Sequence, residues 1–320
     1  QTKNGMQHGS FIAWYENGDI AKEGNFFEGK EDGTFKIYYE GKKIKAVENY
    51  VKGKKEGEWK YWYKNGNVAQ QTFFKEDRAD STWTGWYENG NVKSVEHFKA
   101  EKKQGVWVYY YENGQKESEC PFNNNLPDGK YVGWYANGVM QKQGAYALGK
   151  QQGLWQEWYK DGKPKEELMF KEDAVLLMNL WTEKTGEQII KQGNGRLISI
   201  YSNGKKKSEG SYKDGLLDAE WVFYTLTGEV DYKVVYQQGK MNGAYEAWYK
   251  NGNKKSSGQY VNDKKSGHWI WYRESGEKEM EGNLNGDKRE GNWTYWFNNK
   301  AKEAEGNYKN DLQDSVWCFW

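Results

Sequence analysis

Aromatic residues recur along this chain at a fixed interval, between short polar segments that contain Asn-Gly. A small residue precedes each aromatic cluster, and we number each repeat from 1 to 24 beginning at that residue. The repeats of two regular series begin at Gly9, Gly33, Gly57, Ser81, Gly105, Gly129 and Gly153, and at Gly195, Ala219, Gly243, Gly267, Gly291 and Ser315. A constant period of 24 residues predicts a tandem array of one supersecondary unit.

The aromatic clusters predict β-hairpins. The sequence WYENG occurs at Trp14–Gly18 and again at Trp86–Gly90, with Trp at position 6, Tyr at position 7 and Asn-Gly at positions 9 and 10. Asn-Gly between two β-prone aromatic segments favours a hairpin with a two-residue type I′ turn, in which both central residues have positive φ. Such a turn fixes the register so that paired positions sum to 19.

Positions 1, 3, 16 and 18 should share one face of the sheet, and position 6 should point to the other. In the predicted register, the rings at positions 3 and 18 face positions 16 and 1 across the hairpin. We therefore expect these rings to cover the bare backbone of the glycines opposite them. Position 16 is glycine at Gly24, Gly144, Gly210, Gly258, Gly282 and Gly306.

The segments between hairpins, near positions 20 to 24, are rich in Gly, Lys and Asp, as in EGKEDG at Glu28–Gly33. This composition is typical of solvated turns. Joining the hairpins through such turns gives a meander of neighbouring antiparallel strands. The predicted fold class is all-β, an elongated twisted antiparallel sheet of tandem 24-residue β-hairpin repeats.

One repeat departs from the period. The unit that begins at Leu177 lacks six residues, and its positions 3 and 7 are Asn179 and Glu183 instead of rings. It coincides with AVLLMNL at Ala174–Leu180, the most aliphatic segment of the chain. We predict seven repeats within residues 1–176, a short irregular repeat that kinks the sheet at residues 177–194, and further repeats over residues 195–320, of which the last is incomplete.

The repeated core resembles the MORN-type repeats, and more closely the bacterial MORN variant of the YwqK-like proteins. The likeness rests on G-x-W-x-x-W-Y-x-N-G cores such as Gly57–Gly66, with the following G-x-Y at Gly144–Tyr146 and G-K at Gly149–Lys150. It covers nearly the whole chain. The resemblance implies a sheet of hairpins used for assembly and partner binding, and it identifies no catalytic residue. Such proteins are often labelled antitoxins by association, so an antitoxin-like binder is one alternative.

The amino-acid composition argues against several classes of function. Aliphatic residues are scarce and Trp plus Tyr number 43, so the buried apolar area must come largely from rings. The net charge of +1 predicts no nucleic-acid partner. No run of 18 apolar residues occurs, which predicts no membrane insertion. Cys120 and Cys318 lie far apart in sequence, and we expect both to be free thiols in strands.

No group of residues with catalytic or metal-binding spacing appears. His8, His97 and His268 occupy different positions in separate repeats, whereas a zinc site or a catalytic triad needs side chains that converge. The glycine-rich segments do not lead from a strand into a helix, so they are not phosphate-binding loops. We predict a protein that is not an enzyme and has no cofactor and no metal.

The tryptophans at position 6 form the first candidate binding surface. They lie opposite the position 3 rings, so one of these two rows can line an open trough and anchor a partner. The alternative is that both rows pack between repeats. The position 6 candidates are Trp14, Trp62, Trp86, Trp134, Trp158, Trp248 and Trp296.

The aliphatic segment of the short repeat is the second candidate. An apolar patch at a kink can dock a partner, and the residues concerned are Val175, Leu176, Leu177 and Trp181. The alternative is a local plug that fills space where rings are missing.

The predicted function is a non-enzymatic repeat scaffold that binds a protein partner within a bacterial cell-envelope or surface assembly. A glycan- or cell-wall-binding aromatic groove is the main alternative, besides an antitoxin-like binder. The first residue is Gln1 rather than Met. On that basis we expect a removed signal peptide and a periplasmic or extracellular location, with a cytoplasmic location as the alternative.

Overall fold

The computed structural model describes residues 2–3, 5–172 and 174–320, and every regular element in these ranges is a β-strand. The chain forms two compact units. The first comprises Gln1–Lys165 and Met169–Asp173, and the second comprises Glu166–Leu168 and Ala174–Trp320. The division falls late in the seventh repeat, before the short repeat at residues 177–194.

Nineteen strands lie in the described part of the first unit. They are β1 (Thr2–Lys3), β2 (Met6–Gln7), β3 (Gly9–Trp14), β4 (Ile20–Phe27), β5 (Lys30–Glu31), β6 (Gly33–Tyr38), β7 (Ile44–Val51), β8 (Lys54–Lys55), β9 (Gly57–Trp62), β10 (Val68–Lys75), β11 (Arg78–Trp86), β12 (Val92–Lys99), β13 (Lys102–Lys103), β14 (Gly105–Tyr110), β15 (Lys116–Asn123), β16 (Leu126–Pro127), β17 (Gly129–Trp134), β18 (Met140–Ala147) and β19 (Lys150–Trp158).

The boundary between the two units passes through β20 (Pro164–Lys171). The strands of the second unit follow it in the chain. They are β21 (Ala174–Trp181), β22 (Gln188–Lys191), β23 (Asn194–Ile200), β24 (Lys206–Lys213), β25 (Leu216–Tyr224), β26 (Val230–Gln237), β27 (Lys240–Trp248), β28 (Lys254–Val261), β29 (Lys264–Tyr272), β30 (Lys278–Asn285), β31 (Lys288–Trp296), β32 (Lys302–Lys309) and β33 (Leu312–Phe319).

Within each unit, successive long strands pair antiparallel, and the two-residue strands β5, β8, β13 and β16 each pair with the long strand before them. In the first unit this ladder runs from β3 to β19, and β4 pairs with the short strand β5 as well as with β6. In the second unit it runs from β21 to β33. The predicted all-β fold of tandem antiparallel hairpins is confirmed.

The register of the hairpins is confirmed as well. In the first hairpin Gly9 pairs with Phe26 and Phe11 pairs with Gly24, so paired positions sum to 19. The same sum holds in the second unit, where Tyr245 pairs with Gly258. A turn at a fixed place in each repeat therefore sets which side chains share a face.

The turn itself differs from the predicted type I′ turn. The amide of Gly18 donates to the carbonyl of Tyr15 (3.0 Å), and the amide of Tyr15 donates to the carbonyl of Asp19 (2.8 Å). Gly18 has a φ of 85°, but Asn17 is not among the residues with positive φ. The loop is thus three residues long with glycine in the left-handed conformation. Asn17 stabilises the loop through its side chain rather than through a positive φ, because its Oδ1 accepts a hydrogen bond from the amide of Asp19 (2.9 Å).

A bulge in the returning strand absorbs the extra loop residue. Trp14 pairs with Ile20 but Ala13 pairs with Lys22, which leaves Ala21 without a partner of its own across the hairpin. The same shift recurs in the other hairpins, for example beside Trp248. Because of this extra residue at position 13, positions 12 and 15 emerge on the same face as position 6.

The small residue at position 1 is required by the backbone. It has a positive φ in every repeat of the two regular series, including Ser81 (62°) and Ala219 (60°). A Cβ added at Gly57 or Gly267 would meet no atom within 4 Å. The glycine preference at position 1 therefore reflects the left-handed backbone, and the expectation that it serves ring packing is wrong.

At position 16 the predicted ring does cover the glycine, but it comes from the next repeat. Tyr245 is the register partner of Gly258, yet a Cβ at Gly258 would overlap the ring of Trp269. The Nε1 of Trp269 also donates to the carbonyl of Gln259 (3.1 Å). Each repeat is thus clamped to the preceding one, as in a linear array stabilised by nearest neighbours. The same overlap occurs at Gly24, Gly144, Gly210, Gly282 and Gly306.

The WYENG sequence adds two further links between repeats. The Tyr63 hydroxyl donates to the carbonyl of Trp86 (2.8 Å), and the Asn65 Nδ2 donates to the carbonyl of Glu88 (2.8 Å). Equivalent tyrosine bonds, 23 residues apart in sequence, recur in both units. The turn sequence is repeated because its Tyr and Asn each satisfy a backbone carbonyl of the following hairpin.

The core of each unit lies on the face of positions 3 and 18. Rings at these two positions contact each other alternately along the chain, for example Phe26 with Phe35 (5.4 Å) and Phe35 with Tyr50 (5.6 Å), mostly edge to face. The fully or nearly buried rings at position 3 are Phe35, Trp59, Trp107, Trp155, Trp221, Trp269 and Trp293. We call this side the ring face.

Candidate functional site

The seven tryptophans at position 6, here called the Trp row, lie on the side opposite the ring face. Trp14 is 61% exposed, and the other six are half-buried. Five of them belong to the first unit, and Trp248 and Trp296 belong to the second. Of the two aromatic rows, the one at position 3 supplies most of the buried rings, whereas every ring of the Trp row keeps part of its surface exposed.

Lysine ammonium groups lie over several rings of the Trp row. Lys116, at position 12, has its Nζ 5.6 Å from the ring centre of Trp134 in the next repeat. Lys278 stands in the same relation to Trp296 (5.5 Å). The bulge at position 13 allows this, because it places position 12 on the Trp face. Such contacts are attractive and leave the cation accessible.

Glutamates at position 15 complete the pattern. Lys116 pairs with Glu119 (2.8 Å), and Lys278 pairs with Glu281 (2.8 Å). The hydrogen bond to Glu119 raises the pKa of Lys116 despite the opposing effect of burial. The face of the Trp row therefore carries rings, ammonium groups and carboxylates in close alternation, and of these the aromatic rings are the type enriched at protein interfaces.

The four residues of the second predicted surface, in the short repeat, differ in how far they are exposed. Val175 is 52% exposed, whereas Leu176, Leu177 and Trp181 are half-buried. A Cβ at Gly215 would lie 2.7 Å from the Cβ of Leu176. Leu176 thus packs within its own unit, and Val175 alone of the four presents most of its side chain.

The short repeat replaces rings by other contacts. Asn179 stands where position 3 normally has a ring, and its Oδ1 accepts the Nε2 of Gln188 (2.8 Å) and the amide of Gln192 (2.9 Å). Ile190 is fully buried beside Gly195. An amide network and one aliphatic side chain therefore fill the space that a stacked ring fills elsewhere.

A cleft of about 540 Å³ opens at ring-face positions of the first unit, and its lining includes two of the predicted tryptophans, Trp62 and Trp86. Its residues at position 5 are Tyr61, Gly85 and Tyr109, and its position 16 residue is Glu96. The other lining residues are Tyr39, Lys45, Trp62, Tyr63, Ala69, Gln70, Trp86, Lys93 and Ser94. The sequence did carry a signal, since position 16 departs from glycine here, at Glu48, Thr72, Glu96 and Cys120.

Two tyrosines of the cleft, Tyr61 and Tyr109, have a raised pKa. Burial and the neighbouring Glu96 carboxylate, to which its hydroxyl is hydrogen-bonded, raise the pKa of Tyr109 to about 12. Burial and Glu48 raise the pKa of Tyr61 to about 12 as well. Both phenols therefore act as hydrogen-bond donors over the whole physiological range.

The histidines and cysteines do not converge. His97 contacts Thr82 (2.9 Å), His268 faces Glu281 (3.5 Å), and His8 lies against the ring of Phe27. The Nδ1 of His8 is buried without a hydrogen-bond partner. Cys120 and Cys318 are free thiols in β15 and β33, as expected.

Metal-ligand groups and membrane-spanning helices are both absent from the part of the chain that the structure describes. Among residues 2–3, 5–172 and 174–320, no three His, Cys, Asp or Glu side chains are grouped so that they could hold a metal ion. The same residues include no helix with the length and apolar character needed to span a bilayer.

Comparison with solved structures gives only weak likenesses. A crystal structure of TcdB2-TccC3-Cdc42 is 11% identical over 92% of this chain and 16% of that chain, with a TM-score of 0.19. A Tc holotoxin pore of Photorhabdus luminescens is 9% identical over 93% of this chain and 17% of that chain, with a TM-score of 0.18. The chain spans less than a fifth of either, and these likenesses carry no argument. No curated protein matches the sequence.

Comparison with protein families gives a clear answer. The family described as "MORN repeat variant" matches eight segments, which together make up more than half of the chain. They are residues 7–27, 31–52, 55–76, 79–100, 103–124, 151–172, 194–214 and 241–262. Each segment spans a hairpin with its turn, the unit that the structure repeats. The chain belongs to the MORN repeat variant family.

Proposed function

We propose that this protein is a non-enzymatic scaffold that binds a protein partner through the Trp row. The observation that carries the proposal is the contrast between the two aromatic rows. The rings at position 3 are mostly buried, whereas Trp14, Trp134 and the other rings at position 6 keep part of their surface exposed. Partly exposed Trp is an effective anchor at protein interfaces because one ring supplies a large apolar contact area.

The charged groups around the Trp row fit a protein partner better than a purely apolar partner. Ammonium groups such as those of Lys116 and Lys278 lie over the rings, and carboxylates such as Glu119 lie beside them. A protein partner whose apolar anchor residues are surrounded by complementary charges would contact both the rings and the charged groups. Membership of a repeat family generally used for interaction supports the same function.

The test is a comparison of two double variants in the same repeats. Trp134→Ser with Trp158→Ser removes two anchors from the Trp row. Leu126→Ser with Leu148→Ser removes exposed apolar side chains from the long turns and serves as the matched control. All forms should first show the same far-UV circular dichroism as the unmodified protein.

Affinity purification from the native source, with mass spectrometry, then identifies partners. A protein recovered with the unmodified chain and the leucine variant, but lost with the tryptophan variant, supports the proposal. It should bind again when purified, with a Kd at least tenfold weaker for the tryptophan variant. A partner that the tryptophan variant retains in full would contradict a role for the Trp row, as would the recovery of no partner at all.

The envelope location remains a prediction. Fractionation of cells that produce the full-length protein, followed by immunodetection, would place it in the periplasm, at the surface or in the cytoplasm. Recovery in the cytoplasmic fraction alone would remove envelope components from the possible partners.

A further inference from the structure

The cleft at Gly85 differs from the rest of the ring face in how it is built. In six other repeats a ring lies over the glycine at position 16 and fills the space, as at Gly258 and Gly282 of the second unit. At the cleft the position 5 ring is missing at Gly85, and position 16 carries Glu96 instead of glycine. The neighbouring Tyr61 and Tyr109 remain, so a gap one repeat wide is left between two rings.

The floor of the gap is small and polar. Gly85 pairs with Ser94 across β11 and β12, and a Cβ at Gly85 would lie 3.1 Å from the Ser94 Oγ. Gly85 has no positive φ, so its backbone does not require glycine. The absence of a side chain at this position therefore leaves open volume rather than relieving strain.

The polar groups of the cleft include donors and acceptors of both charges. Lys45 and Lys93 bring ammonium groups, and Glu96 brings a carboxylate that accepts the hydroxyl of Tyr109. Gln70 adds an amide, and Ser94 adds a hydroxyl. Because charges of both signs line the cleft together with an amide and a hydroxyl, a ligand of either charge would meet repulsion as well as attraction, whereas a neutral ligand with many hydroxyl groups can hydrogen-bond to all of them.

The strands around the cleft offer no edge to a peptide. β10, β11 and β12 are each paired on both sides, so their backbone groups are already hydrogen-bonded. Recognition must therefore use side chains alone, and peptide binding by strand addition is excluded here. The volume of about 540 Å³ lies within the range of small-ligand sites.

We propose that this cleft binds a neutral oligosaccharide. The apolar C–H face of one pyranose ring packs against Tyr61 and that of a second pyranose ring packs against Tyr109, four strands away across β9 to β14. The sugar hydroxyls reach Glu96, Gln70 and Ser94. The lining includes Trp62 and Trp86 of the Trp row, but the sugar contacts proposed here use side chains of the ring face, so this proposal does not depend on the proposed protein-binding function.

The experiment measures binding of maltotriose, cellotriose and chitotriose by isothermal titration calorimetry and saturation-transfer NMR. At least one trisaccharide should bind with a Kd below about 1 mM. Gly85→Phe gives the cleft the position 5 ring that Phe223 supplies in the second unit, and it should weaken binding at least tenfold while the circular dichroism stays unchanged. Tyr109→Phe should weaken binding about threefold, because it removes the hydroxyl that orients Glu96.

Two controls separate this site from other effects. Tyr110→Phe makes the same change on the opposite face and should leave the Kd unchanged. The Trp134→Ser, Trp158→Ser variant should also keep full trisaccharide affinity, so the two proposals can fail independently. The proposal is overturned if no trisaccharide binds, if Gly85→Phe binds as well as the unmodified chain, or if Gly85→Phe abolishes only the binding of a protein partner.

Discussion

The aromatic rings of the ring face are packed differently in the two units. In the first unit, rings at positions 3 and 18 form an edge-to-face series from Phe11 to Phe122. In the second unit, rings at position 5 add a second, nearly parallel series, in which Trp271 stacks on Trp269 (5.6 Å) and on Trp293 (5.5 Å). The first unit has the cleft at Gly85 where the second unit has these additional rings.

The difference follows from two positions of the repeat. Position 16 is mostly glycine in the second unit, so the Trp of the next repeat lies directly on the backbone, as Trp269 does on Gly258. In the first unit, Thr72 and Glu96 occupy this position, and the indoles of the following repeats still donate to the backbone, Trp83 to the carbonyl of Phe73 and Trp107 to that of His97 (both 3.0 Å). The same hairpin therefore gives a closed ring face or one with a cleft, depending on a few side chains.

The largest expected effect comes from removing the ring over glycine. Trp269→Ala should lower the free energy of unfolding by about 3–5 kcal/mol, because Trp269 is 0% exposed and leaves a cavity over bare backbone. Trp83→Ala should cost clearly less, since Trp83 is only half-buried. Urea unfolding followed by circular dichroism measures both values. Equal losses would show that the two units do not differ in how they use this ring.

A smaller effect is expected from adding a methyl group beneath the ring. Gly258→Ala should cost about 1–3 kcal/mol, because its Cβ overlaps Trp269 and the ring must move. Gly85→Ala is the matched control in the first unit. Its Cβ would meet only the Ser94 Oγ at 3.1 Å, so its effect should stay within about 0.5 kcal/mol of zero. A destabilising Gly85→Ala would mean that the cleft is closed in solution.

The smallest effect concerns tyrosine titration. The pKa of Tyr109 and that of Tyr232 in the second unit are each raised to about 12, the first by burial and Glu96 and the second by burial and neighbouring tyrosines. A pKa raised in the folded state stabilises fully below about pH 10, and this contribution is lost as the pH rises toward 12. Glu96→Gln should lower the pKa of Tyr109 and leave that of Tyr232 unchanged.

Site-resolved NMR of labelled tyrosine, recorded between pH 9 and pH 12, gives both pKa values in one experiment. A Tyr109 pKa that does not fall in Glu96→Gln would show that its hydroxyl has no carboxylate neighbour in solution. A change at Tyr232 of similar size would instead indicate a general loosening of the fold.

Much of the hairpin could be predicted from the period and from the Asn-Gly pairs, because strand pairing within a hairpin is local. The turn type was wrong because Asn17 contributes through its side chain, and a three-residue loop with a compensating bulge gives the same register over most of the hairpin. A pattern of letters does not distinguish these two loops.

The source of the covering ring was also missed, for a related reason. Register relates Gly258 to Tyr245, but the ring above it belongs to Trp269 of the next repeat. Contacts between repeats depend on where side chains lean across neighbouring strands, and periodicity alone does not specify this. The cleft at Gly85 was missed because it arises from absent and substituted side chains in several repeats, none of which forms a motif.

The sequence by itself determined the tandem hairpins, their register and the two aromatic rows, since alternation and turn position are properties of the local chain. Only the tertiary structure decided which row is buried, which repeat supplies each covering ring, and where the ring face remains open. These depend on packing between neighbouring hairpins, where the space available to one side chain is set by residues about a repeat away.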